Sequence, residues 1–506
     1  MLNLFLITLL ALAASSNGLK FLAWSPRVGS SHVNYIGKCA DALIDAGHEV
    51  VIATQPLDRD VHSFGSKKAR IMEIPLPEAG TAYADLVADF KAGFWRLPGL
   101  LTMLTEGMRN ATLLGEGMKT IWNETLHTPG FVERIRAEKF DAAFAEMMDL
   151  TPIILFHLAG IDKFAITVSF GMSMLPYSVT HAPSNPSYVP GLVSWFGDSM
   201  TFFERLQNSA LDVGMRLFPL TLGSLAQDVV DGLDPNAPGI WELVRRSSLI
   251  FINTDPLLDF PKPTTHRVID IGGITIESAA PKTLDEYWSG VMGRRPQTVL
   301  LSFGTYVSAA LMPEEYKTTI REALAAFPNV TFIWKYEEPS HNVSAGLENV
   351  VETTWMPQLD ILRDGRLTAF ITHGGQGSIL EAAYSGTPQL CIAVQGDQFR
   401  NCQIVKRNAL GIALFKEDLG EGPKLQEAIR DIIDNPMYRD SAQKKAGMLR
   451  SRPFSPKQVF VRNMEFMARY GPLHLLDHYG AELNFFQYFL IDIFAFLEPC
   501  LDKKCD

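Results

Sequence analysis

Trp355-Met-Pro-Gln358, the apolar run Leu367-Thr-Ala-Phe-Ile-Thr372 and the turn His373-Gly374-Gly375-Gln376-Gly377-Ser378, followed by Glu381, decide the fold of this chain. Leu367 to Thr372 reads as a buried strand and the residues after the glycines as a helix. Ser385-Gly-Thr-Pro388 closes that helix, and a second apolar run, Gln389 to Val394, leads into Gln395-Gly-Asp397-Gln398. Two buried parallel strands joined through a glycine-rich turn and a helix present bare backbone N–H groups, on the positive end of a helix, to an anion such as phosphate. The turn has neither the Gly-x-Gly-x-x-Gly of dinucleotide folds nor the lysine of a P-loop. It carries a histidine instead, a donor able to reach a phosphate oxygen.

The other polar residues of the stretch fit a nucleotide. Trp355 offers a flat face to a base, and Gln358, one helical turn on, can hydrogen-bond base or ribose. Glu381 can accept from two vicinal ribose hydroxyls. Asp397 and Gln398 follow the next strand, on the carboxyl edge where open parallel sheets bind ligands. Their side chains are of the kind that sugar hydroxyls bind.

On these residues the chain resembles the UDP-glycosyltransferase superfamily, specifically the animal UDP-glucuronosyltransferases, and looks most like their nematode members. The resemblance implies that Trp355 stacks on uracil, that His373, Gly374 and Gly375 hold the diphosphate, that Glu381 holds the ribose and that Asp397 and Gln398 hold the sugar, with Gln358 and Ser378 also in the donor-binding set. Many vertebrate members have Asn where this chain has Gly377, so that contact must come from the backbone or be absent. The fold implied is α/β of the GT-B type, with two facing Rossmann-like doubly wound domains.

Length and composition agree with two domains: 506 residues, 47% hydrophobic. A net charge of −11 and the lack of a basic run argue against a nucleic-acid partner. Residues 1–18 read as a secretory signal, apolar from Leu2 to Ala14 with small residues after it. Sequons at Asn110, Asn123, Asn329 and Asn342 fit a lumenal glycoprotein of the secretory pathway, with the endoplasmic reticulum lumen or the lumenal face of its membrane as the expected site. Five scattered cysteines form no disulfide framework or metal pattern. Relatives end in a membrane span, whereas the apolar tail within 484–506 contains Gln487 and Asp492 and stops at Glu498-Pro499. A span needs about 20 mostly apolar residues, and a central Asp costs about 2.5 to 3.5 kcal/mol. The tail is therefore not expected to span unaided; whether it serves as a degenerate membrane anchor, and whether the chain self-associates, stay open.

In chain order, residues 19–275 read as a first, acceptor-binding domain, 276–297 as a linker, 298–455 as the donor domain, and 456–483 as helices that in relatives return to the first domain. Lys20 to Trp24, Glu49 to Thr54, Phe140 to Ala145, Phe164 to Ser169 and Leu249 to Asn253 read as strands. His32 follows Ser30-Ser31 at the start of a helix, whose amino end favours the neutral imidazole that a general base requires. The family's catalytic histidine matches His32. Its aspartate partner aligns with Glu146, and Asp149 is a second candidate between which the sequence does not choose. The apolar content of residues 172–258 suits a lipophilic acceptor pocket and an ordinary core equally. Ser302, Gly304 and Thr305, after the strand Thr298 to Leu301, form a turn that lets the backbone approach the diphosphate.

The reaction implied is a direct, inverting displacement from a UDP-sugar to a hydroxyl of a small lipophilic acceptor. No cofactor is expected beyond the sugar nucleotide as co-substrate, and no Asp-x-Asp metal motif is evident. Several vertebrate relatives carry an arginine before Asn253 where this chain has Ile252, which places UDP-glucose beside UDP-glucuronate as a donor. Two rival readings are a catalytically weak protein that only binds UDP-sugar and lipid, and a dinucleotide oxidoreductase.

Overall fold

The computed structural model describes residues 18–96, 100–147, 150–171, 177–180, 182–277 and 282–502. Alternation of apolar strands with amphipathic helices builds two parallel sheets, as the sequence pattern predicts. The first has seven strands: β1 (Lys20–Trp24), β2 (Glu49–Thr54), β3 (Arg70–Glu73), β4 (Ala142–Glu146), β5 (Phe164–Val168), β6 (Leu249–Ile252) and β7 (Val268–Asp270), ordered 3-2-1-4-5-6-7. The second has six: β8 (Gln297–Ser302), β9 (Val330–Lys335), β10 (Val350–Thr353), β11 (Leu367–Thr372), β12 (Gln389–Ala393) and β13 (Gly411–Phe415), ordered 10-9-8-11-12-13. In both sheets the chain reverses its direction of winding between the first strand and the fourth. Loops after those strands diverge there and open the crevice in which such sheets bind ligands.

Near-continuous apolar runs suit strands covered on both faces. Every residue of β4 and β5 is buried. The sequence reading misses the edge strands β3, β7 and β13; β3 and β7 are brief and half polar, and β13 is an apolar run of five residues that opens on a glycine. Residues 276–297, read as linker, include the end of one short helix, Ile274–Glu277, and the whole of another, Glu286–Met292.

Several contacts tie the two halves together. Phe94 and Trp95, from the first half of the chain, join the core of the second sheet. The Trp95 indole donates to the Ser308 carbonyl at 2.7 Å, and Lys416 Nζ donates to the Phe94 carbonyl at 2.6 Å. The helix Pro456–Tyr470, capped by Ser455, buries Phe460 against Phe144 and Phe251 of the first sheet. Lys457 pairs with Asp45 at 2.7 Å and Glu465 with His48 at 3.0 Å, so this helix straps the second half to the first. Among the described residues no helix is long and apolar enough to cross a membrane. The tail helix Ile491–Asp502 leaves Ile493, Phe494 and Phe496 exposed.

Candidate active site

His32 is the third residue of the helix Ser30–Asp45, behind Gly29 in the left-handed region (φ 71°). Parallel pairing of β1 with β4, and of β4 with β5, brings Glu146 and Ser169 to the same sheet edge. His32 Nδ1 lies 3.1 Å from Glu146 Oε1 and 2.6 Å from Ser169 Oγ. The Ser169 N–H donates to the same Glu146 oxygen at 3.1 Å, and Thr167 Oγ1 lies 3.5 Å from the other. A carboxylate only accepts, so Nδ1 carries the ring proton and Nε2 keeps its lone pair. Phe170 stands edge-on to the imidazole, with ring centroids 5.5 Å apart. Asp149 lies outside the described residues.

Across the crevice, the glycine turn opens the helix Gln376–Ser385. This amino terminus has no side-chain cap, which leaves its first N–H groups free for an anion. Gly374 sits at φ 84°, and a Cβ there would fall 2.7 Å from Cys402 Sγ and 2.9 Å from Cys391 Sγ. His373 is packed between two glycines: a Cβ on Gly304 would come within 2.5 Å of its Cε1, and one on Gly375 within 2.5 Å of its Nε2. Burial, with Lys335 adding to it, pushes the His373 imidazole down to about 4, against a weaker pull from the Ser302 main chain. His373 is therefore neutral near pH 7, and its Nδ1 is buried with no partner. Ser302 Oγ accepts from the Gly304 N–H at 3.2 Å, shaping the second turn, while Thr305 is exposed.

Trp355 is 70% exposed and stands just before the helix Gln358–Arg363. Gln358 Nε2 donates to Glu381 Oε2 at 2.7 Å and lies 3.4 Å from Ser378 Oγ. Burial raises the Glu381 carboxyl, which Gln358 and then Arg363 oppose. Asn401 Nδ2 holds Asp397 Oδ2 at 2.8 Å and the Gly374 carbonyl at 3.0 Å. Gln398 turns its amide oxygen to the Val394 and Gln395 N–H groups, both at 3.0 Å, which keeps its NH2 for another acceptor. Gly377 has open space where a Cβ would be.

The two clusters face one another. The site of a Cβ on Gly29 is 3.2 Å from His32 Cδ2 and 3.5 Å from Tyr306, just beyond the Gly304 turn. Burial raises the Asp397 carboxyl, opposed first by Asn401 and then by His32 across the gap. Gln376 Nε2 donates to the Asn253 carbonyl at 2.8 Å, and Asn253 Nδ2 to the Ser169 carbonyl at 3.0 Å. Sequence reasoning did not single out Ser169, Asn253, Lys335 or Asn401. Each is a lone polar residue near a strand or helix end, and only the position after an apolar run could have flagged it. Of the sequon asparagines, Asn123, Asn329 and Asn342 are exposed and Asn110 is half-buried.

Comparison with known proteins covers nearly the whole chain. The family model described as "UDP-glucoronosyl and UDP-glucosyl transferase" matches residues 20–504. UDP-glucosyltransferase 2 of Dactylopius coccus is 28% identical over 96% of this chain and 91% of its own length. UDP-glucuronosyltransferase 3A1 of Xenopus laevis is 28% identical over 94% and 90%. The nematode protein ugt-48 of Caenorhabditis elegans is 27% identical over 96% and 93%. Among solved structures, glycosyltransferase VinC in complex with DTDP matches with a TM-score of 0.56 at 15% identity, over 90% of this chain and all of that one. The rhamnosyltransferase SpnG matches at 0.57 and 15%, over 88% and 100%. These likenesses show the fold, two facing Rossmann-like domains of the GT-B type.

Proposed function

Since this chain belongs to the UDP-glucuronosyl and UDP-glucosyl transferase family and is a hexosyltransferase, we propose that it moves a hexose or hexuronate from its UDP-sugar to a hydroxyl of a small lipophilic acceptor, with inversion and with His32 as general base. The observation that carries this reading is the Glu146–His32 pair, set opposite the glycine turn and Asp397. His32 Nε2 takes the acceptor hydroxyl proton as that oxygen attacks the anomeric carbon. Glu146 holds the ring in the required tautomer and offsets the charge it gains.

The bond to UDP breaks on the opposite face of the sugar. The free N–H groups of the helix Gln376–Ser385 and the neutral His373 donate to the diphosphate as its charge grows. Trp355 supplies the platform for uracil. Gln358 leaves one Glu381 oxygen for the ribose, and Asn401 leaves one Asp397 oxygen for the sugar. Phe170 beside the base gives the acceptor side an apolar wall.

The test is a turnover assay with UDP-glucose and UDP-glucuronate in competition, over a panel of lipophilic phenols and alcohols, with anomeric configuration read by NMR. Inverted product that disappears in His32→Ala, while calorimetry still detects UDP binding, supports the reading. Retained configuration, or UDP binding without turnover on any acceptor, overturns it. A lumenal location is part of the proposal and rests on the amino-terminal signal and the exposed sequons. It is tested by the mobility shift of the secretory-cell product on deglycosylation.

A further inference from the structure

Ser169 commits each of its polar groups. Its N–H donates to Glu146 Oε1, its hydroxyl oxygen accepts from the His32 Nδ1–H, and its carbonyl accepts from Asn253 Nδ2. Asn253 in turn offers its own carbonyl to Gln376. Gln376 is the first residue of the donor helix and follows directly on Gly374-Gly375. A run of hydrogen bonds thus leads from the diphosphate turn of one domain to the base of the other. Glu146, Ser169, Asn253 and Gln376 are all at most 8% exposed, so water has little access to the links among them. Gly171 allows the approach, since a Cβ there would meet Gln376 Oε1 at 3.0 Å.

Packing alone does not require this route. The halves are already fastened elsewhere by Trp95, Lys416 and the helix Pro456–Tyr470. The Gln376 path ends on the ring nitrogen whose proton sets the tautomer.

We propose that Ser169 and Gln376 are positioning residues that couple seating of the donor on the glycine turn to the orientation of His32. The proposal rests on His32 being the base. A nucleotide drawn onto the turn holds the first residue of the donor helix, Gln376 then holds Asn253 and Ser169, and the ring is fixed with Nε2 toward the acceptor.

The experiment is a double-mutant cycle on turnover in the full chain. Ser169→Ala and Gln376→Met should each lower kcat about two- to tenfold, as loss of one net hydrogen bond implies, with KM for the UDP-sugar and calorimetric UDP affinity within about twofold. Ser169→Thr, which keeps the hydroxyl, should restore kcat. The double variant should fall little below the worse single one, because both act on one path. If Gln376→Met does not fold, Gln376→Asn, which withdraws the amide by one methylene, carries the same expectation. Effects on kcat that multiply, or kcat unchanged in both single variants, overturn the coupling. His32→Ala separates the two failures: if it keeps turnover, the base assignment falls first, and if it is inactive while the cycle is additive, only the coupling falls.

Discussion

Gly304→Ala tests the cradle around His373 most directly. Gly304 has φ 81°, where an alanine is strained, and its new Cβ would sit 2.5 Å from Cε1 and 2.8 Å from Nε2 of a buried ring. Ordinary carbon contacts lie near 3.5 to 4 Å, so the overlap is on the order of 1 Å. The left-handed backbone costs about 1–2 kcal/mol and overpacking a tight site about 1–3 kcal/mol. Together these give about 2–5 kcal/mol, which the molecule relieves by displacing either the ring or the turn. Either movement misaligns the donor that we assign to the diphosphate, a charge-assisted hydrogen bond of about 1.5–3 kcal/mol. UDP affinity should therefore fall about 10- to 100-fold. Calorimetric titration of UDP reads this directly, and thermal unfolding in its absence reads the strain. Wild-type UDP affinity in a folded Gly304→Ala protein would refute the placing of His373 at the diphosphate.

Glu146→Gln replaces an acceptor with an amide that can offer its NH2 to His32 Nδ1, favouring the tautomer with the proton on Nε2. Turnover should drop by about 100-fold or more with UDP affinity kept, and an unchanged kcat would remove Glu146 from the mechanism. For His373, an imidazole held at about 4 in the folded chain takes up its proton later than in the unfolded chain, whose value is 6.5. Its contribution is therefore complete above pH 6.5 and is lost as pH falls toward 4, by about 3 kcal/mol in total. Asp270, raised by burial to about 6, has the opposite slope between pH 3.8 and 6, so the comparison is wild type minus His373→Gln in denaturant titrations. A pH-independent difference would contradict the burial argument. Tyr384 OH donates to Asp255 Oδ2 at 3.1 Å or to the Gly272 carbonyl at 3.0 Å, joining the halves. Tyr384→Phe should cost about 1–3 kcal/mol, and an unaltered melting temperature would show that the contact contributes nothing.

The donor half was legible because its chemistry is nearly contiguous. From Trp355 to Gln398, strand, turn, helix and strand follow one another, and each polar residue sits at a turn that the periodicity marks. His32 was legible for the same reason, as a polar residue at a helix start. Glu146 came from aligning a strand end with a family pattern, and β-sheet pairing places it against His32. What the sequence concealed depends on partners far along the chain. Ser169 is 137 residues from His32, and Gln376, inside the quoted turn, is 123 residues from Asn253. No periodicity can announce such pairs, since parallel strand order decides which strand ends become neighbours. Edge strands escaped for a related reason: β3, β7 and β13 are set by pairing with a central strand more than by their own composition.

The electrostatics of the donor side lead one step further. A neutral His373 can donate a hydrogen bond to a diphosphate but brings it no net charge. Lys335, at the end of β9, is close enough to depress His373, and its ammonium donates to the Gly304 carbonyl at 2.8 Å and pairs with Glu337 at 2.7 Å. The second Glu337 oxygen is held by the Ala309 N–H at 2.8 Å, so this carboxylate is already shared. The lysine both shapes the Gly304 turn and keeps positive potential beside it. Lys335→Met should therefore weaken UDP binding in a way that salt mimics: its affinity should fall less steeply with ionic strength than wild type. A parallel salt dependence in the two proteins would show that Lys335 serves the turn's shape alone.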